Sequence, residues 1–129
     1  MNKGLNYTIL SFVKSNYKSL AWAGIILFLS IFHIKTPNSV KEIIIPHFDK
    51  IVHLGLYTIL SFLLLFENKK SNPIYIRLLF AIFYGILMEL FQHFFTNYRS
   101  MEIFDIVANT CGVFFGYFLF YLLQNKLKL

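Results

Sequence analysis

The chain has 129 residues, a length that suits one domain. With 57% hydrophobic and 14% charged residues and a mean hydropathy of +0.62, it lacks the polar surface that a water-soluble fold of this size must display. Its net charge of +6 does not mark a nucleic-acid binder, because the basic residues fall in short breaks between apolar runs, where lipid headgroups are the expected partner.

Residues 1–18 form a first, amphipathic segment. Leu5, Ile9, Phe12, Val13 and Tyr17 recur at helical spacing among Lys3, Lys14 and Lys18, a pattern that predicts a short helix lying in the headgroup plane. Residues 19–124 then carry four apolar spans. The first, Leu20–Ile34, is short and extends into the interfaces through Tyr17–Ser19 and His33–Lys35. No small-x-small pair follows it, so it is expected to stay as an anchor rather than be cleaved as a signal peptide.

The second span is Ile51–Phe66, the third Ile74–Phe95 and the fourth Ile103–Leu123. Hydrocarbon offers a backbone no hydrogen-bond partners, and none of these runs alternates with the period of two that a barrel strand requires. The expected fold class is therefore all-α: an integral membrane four-helix bundle preceded by a short interfacial helix. The single Cys111 rules out an internal disulfide and lies in an apolar run, where it reads as a small hydrophobe.

Basic residues predict the orientation. Lys3, Lys14, Lys18, Lys69, Lys70, Arg77, Lys126 and Lys128 belong to the N-terminal segment, the second loop and the C-terminus, against Lys35, Lys41, Lys50 and Arg99 in the first and third loops. Both termini are expected in the cytoplasm of a multi-pass protein of the bacterial inner membrane. On this orientation Glu42, Asp49, Glu89, Glu102, Asp105 and all four histidines lie toward the outer face, leaving Glu67 inside.

Helical spacing groups these polar residues into stripes. Asp49, His53 and Tyr57 follow one another at i, i+4 and i+8, while Glu89, Gln92 and His93 share a face of the third span. The short link Thr96–Glu102 brings in Arg99 ahead of Asp105 and Asn109, also i and i+4. Short connections predict that the second, third and fourth spans are antiparallel neighbours, so that the stripes meet. Charge inside a membrane helix is costly, at least ~2.5 kcal/mol near the centre, so Glu89 and Asp105 must pair, protonate or face a wet cleft. Gly112-x-x-x-Gly116 is spacing for close helix contact rather than chemistry. No spacing matches a metal motif such as His-Glu-x-x-His, and no metal or other cofactor is expected.

Three fragments taken in order resemble the VanZ-like family of small bacterial membrane proteins, named for a teicoplanin-resistance protein. They are Asp49-Lys50-x-x-His53-x-x-x-Tyr57, Tyr84-Gly85-x-x-x-Glu89-x-x-Gln92 and Arg99-x5-Asp105-x-x-x-Asn109-x-x-Gly112-x-x-x-Gly116. The link before Arg99 departs from the Thr-Pro turn of many members, reading Thr96-Asn97-Tyr98. The resemblance implies a ligand-binding set of Asp49, Lys50, His53, Glu89, Gln92, Arg99, Asp105 and Asn109, and a link to glycopeptide resistance.

Three functions are compatible with these residues. In the first, an outer-face cleft binds an amphiphile, a lipid-linked envelope precursor or lipoglycopeptide, with Arg99 and Lys50 meeting its anionic groups and apolar walls its tail. In the second, Glu89 and Asp105 act as general acid and base on an envelope lipid with His53 as a shuttle. In the third, the charges staple the bundle or hold a partner of the envelope machinery.

Overall fold

A computed structural model describes residues 2–31, 48–67, 73–95 and 102–127. All of its elements are helices: α1 (Asn2–Ser15), α2 (Tyr17–Ile31), α3 (Phe48–Glu67), α4 (Ile74–Phe95) and α5 (Ile103–Leu127). At 1.5 Å rise per residue, a helix of about 20 residues matches the ~30 Å hydrocarbon thickness of a bilayer. By length and composition α3, α4 and α5 are able to cross a membrane. The described part of α2 is equally apolar but only 15 residues long, and its expected extension through His33 to Lys35 lies outside the described residues. The architecture is that of a helical membrane protein.

Asn16 marks the join between α1 and α2. Its amide nitrogen still donates to Phe12 O at 3.1 Å, and its side-chain Nδ2 donates to the same carbonyl at 2.9 Å. A side chain that competes for backbone acceptors bends a helix at such a position. Downstream, the first amides of α2 meet a carboxylate from another helix. Lys18 N and Ser19 N donate to the two oxygens of Glu67 at 2.8 and 2.9 Å, satisfying donors that a helix start leaves open.

The bundle direction can be read from cross-helix pairs. His53 meets Glu89, Tyr57 lies against Gly85, and Arg77 donates to Leu65 O at 3.1 Å, so α3 and α4 run antiparallel. Between α3 and α5 the numbers rise together, from Lys50 with Asp105 to Leu54 with Gly112, Thr58 with Gly116 and Phe62 with Phe120. These two helices are parallel and form the most extensive contact of the bundle. Both run antiparallel to α4, as the short connections led one to expect, and are therefore parallel to each other. Gly112 and Gly116 let the pair close up, bringing the α5 backbone onto the carbonyls of Leu54 and Thr58, where a Cβ would have no room.

Each helix buries a stripe and leaves the rest to the surroundings. On α4 the buried set is Arg77, Ala81, Gly85, Met88, Glu89 and Gln92, at intervals of three and four. The core joins Ile26 of α2, Tyr57 and Leu60 of α3, Ala81 and Met88 of α4 and Val113 of α5. Two further bonds hold α2 in place: Trp22 Nε1 donates to Leu56 O at 2.9 Å, and Tyr84 Oη donates to Ala23 O at 2.6 Å. Large apolar side chains such as Phe80, Phe83, Phe94, Phe104 and Phe118 point outward, as lipid contact requires.

Candidate functional site

The N-terminal ends of α3 and α5 and the C-terminal end of α4 meet at one end of the bundle. Glu102 opens α5 by accepting Asp105 N on its carbonyl at 3.0 Å, which points both side chains toward the start of α3. Lys50 answers from α3. Its Nζ lies 2.6 Å from Asp49 Oδ2, 2.5 Å from Glu102 Oε2 and 2.6 Å from Asp105 Oδ1. Asp105 is almost fully buried, whereas the Asp49 and Glu102 carboxylates are about half exposed, so the collar runs from the bundle interior to its rim. Lys50, expected to meet an anionic group, is instead held by three carboxylates.

One turn deeper, a second group is buried among α3, α4 and α5. His53 Nδ1 lies 3.0 Å from Asn109 Oδ1, and Asn109 Nδ2 donates toward Glu89 Oε1 at 3.4 Å. In this arrangement the His53 Nδ1 carries a proton and donates it to the amide oxygen. Glu89 Oε1 also lies 3.5 Å from His53 Nδ1. Gln92 is buried on the same face of α4 as Glu89. His93 is not part of this group: it is exposed and packs edge-on against Phe94.

Asp105 joins the two layers. His53, Glu89 and Asp105 offer ligand atoms within 4.8 Å of one another, and so do Asp49, Glu102 and Asp105. Either trio has a spacing on which a cation could be shared, although in the outer one the Lys50 ammonium already sits among the oxygens. Tyr57 lies beneath, 1% exposed and packed against Gly85, its hydroxyl without a hydrogen-bond partner among the described residues. A buried hydroxyl left so costs about 1–3 kcal/mol.

Beside the collar, α3 and α5 enclose an open groove of about 630 Å³. Its walls are Ile51, Leu54, Phe104, Val107, Ala108 and Cys111, and Lys50 and Glu102 stand at its polar end. Its walls are otherwise apolar, so the charged lining residues stand at one end of the groove.

The sequence therefore brings together seven of its eight ligand-set residues: Asp49, Lys50, His53, Glu89, Gln92, Asp105 and Asn109 line one end of the bundle. Arg99, the eighth, lies outside the described residues. The three proposed acid–base residues, His53, Glu89 and Asp105, are neighbours. Sequence reasoning left Glu102 out of the site, although its spacing of three from Asp105 places both on one side of the α5 start.

Across residues 5–124 the chain matches the family model described as VanZ/LLP1. No curated protein and no solved structure matches it.

Proposed function

This chain belongs to the VanZ/LLP1 family, and from that premise we propose that it binds a single-chain or lipid-linked amphiphile in the α3–α5 groove, at the outer face of the bacterial inner membrane. The observation that carries this reading is the groove itself, about 630 Å³ of apolar wall that ends at Lys50 and Glu102. An acyl or polyprenyl chain lies along Leu54, Val107 and Cys111, and its head reaches the collar at the helix ends. The ligand classes that fit are lipid-linked envelope precursors and lipoglycopeptides, and binding either would alter access to it at the outer leaflet. A role in glycopeptide resistance, teicoplanin included, follows from such sequestration.

Native mass spectrometry of the purified protein tests this. The wild type is expected to retain an amphiphile-sized adduct that resists detergent exchange. Val107→Trp fills the groove from an exposed wall position and is expected to lose it. Equal retention by both proteins, or none by the wild type in native lipid, would contradict the reading.

A second reading has its own observation, the buried approach of His53, Glu89 and Asp105. Two interior carboxylates beside an imidazole are the equipment for proton transfer to and from a lipid-linked substrate. Purified protein incubated with envelope lipids would then generate products detectable by mass spectrometry, and Glu89→Gln would abolish them.

A further inference from the structure

The collar at the head of the groove carries more negative than positive charge. Asp49, Glu102 and Asp105 supply three carboxylates to the one ammonium of Lys50, leaving two negative charges in excess among the described residues. Lys50 therefore does not offer an anion a free cation: every oxygen-rich neighbour within 2.6 Å is already bound to it. A phosphate brought to this point would meet Glu102 and Asp49 at close range, and like charges at a site partly removed from water repel strongly.

Resting on the groove reading above, and narrowing its ligand classes against those whose chain ends in phosphate, we propose that the amphiphile taken by the α3–α5 groove presents a cationic headgroup, a primary ammonium, to the Glu102 side of the collar. Two features select it. Among the described residues Glu102 is the carboxylate that both lines the groove and stands about half exposed, so an incoming N–H donor reaches it without displacing Lys50. Asp105, almost wholly buried, stays committed to Lys50 and keeps that lysine from turning outward. An ammonium then shares the collar with the lysine and neutralises part of the excess charge, forming charge-assisted bonds that a hydroxyl headgroup makes more weakly. The groove supplies the chain's affinity, and the collar sorts by head.

Cys111 supplies the measurement, since it is the only cysteine and lines the groove wall. Protein in phosphatidylcholine nanodiscs is alkylated with N-ethylmaleimide in the presence of about 1 mol% of hexadecylamine, hexadecan-1-ol or hexadecyl phosphate, and the rate is followed by mass spectrometry. A chain seated in the groove shields the thiol. Hexadecylamine is expected to slow the reaction about tenfold where hexadecyl phosphate slows it less than about twofold, with the alcohol between them. In the Asp49→Asn, Glu102→Gln double variant the amine should keep less than about a threefold advantage over the phosphate. Phe83→Cys in a Cys111→Ser background, on the outward side of α4, should respond to none of the probes. Equal protection by amine and phosphate, or better protection by phosphate with or without magnesium, overturns the headgroup assignment and leaves the groove standing. Protection by none of the three chains overturns the groove reading and this inference with it.

Discussion

Asp105 on α5 holds the ammonium of Lys50 on α3 at 2.6 Å, and only 3% of the Asp105 side chain remains exposed. This contact ties the starts of two parallel helices that no short connection joins, and it makes Lys50 the electrostatic centre of the site. Removing the lysine strands three carboxylates, one of them buried. Lys50→Met is expected to cost about 2–4 kcal/mol of stability, whereas Glu102→Gln, at a half-exposed rim position, costs about 0–1 kcal/mol. Thermal unfolding in mild detergent checks the order, and equal shifts for both variants would contradict it.

The parallel pair depends equally on glycine. A Cβ on Gly112 would run into the carbonyl of Leu54, and one on Gly116 into that of Thr58, backbone atoms that cannot step aside. Gly112→Ala and Gly116→Ala should each destabilise the bundle by about 1–3 kcal/mol. Gly24 and Gly55 meet nothing within 4 Å, so alanine there should stabilise by about 0.5–1 kcal/mol through helix propensity alone. The same unfolding assay separates the two classes, and alanine effects of one sign at all four positions would exclude this packing.

These glycines also show how far the sequence could be read. Gly112-x-x-x-Gly116 announced a close helix contact, and apolar run length placed α3, α4 and α5 almost to their observed ends. Helical spacing correctly put Asp49, His53 and Tyr57 on one stripe and Glu89 with Gln92 on another, because periodicity is a local property. Which helix the glycines would touch was not local. Short connections made α3, α4 and α5 neighbours without saying which of them the glycines face, and the partner is α3, two elements away and parallel. His93 shares the Glu89 side of α4 by spacing yet turns outward, because it lies at the helix end, beyond the faces that α3 and α5 cover. The groove and the choice of Lys50 as the partner of three acids depend on helix separation, which no single segment encodes.

At the opposite end of the bundle, Glu67 links α3 to the start of α2 through the amides of Lys18 and Ser19. Glu67→Ala removes both acceptors and should cost about 1 kcal/mol, the scale of a lost helix cap. Hydrogen exchange is the sensitive readout, because the Lys18 and Ser19 amides should lose protection while those in the middle of α4 keep theirs. Unchanged protection at Lys18 and Ser19 would show that the cap contributes nothing.

On the orientation expected from the distribution of lysine and arginine, the polar end faces outward and the C-terminal end of α5 the cytoplasm. In a Cys111→Ser background, a membrane-impermeant maleimide applied to intact cells should label Glu102→Cys, and should label Asn125→Cys only after permeabilisation. The reverse pattern would place the collar and groove on the cytoplasmic leaflet and remove the proposed access to outer-leaflet ligands.

In the proposed arrangement a chain lies in the groove on the outer side of the α3–α5 seam, with its head at the collar. A photoactivatable hexadecylamine carrying a mid-chain diazirine, cross-linked in nanodiscs and mapped by peptide mass spectrometry, reports this directly. Adducts should concentrate on Leu54, Val107 and Cys111 along the groove. Adducts spread evenly over outward positions such as Leu79, Phe83 and Phe118, with no excess in the groove, would contradict it.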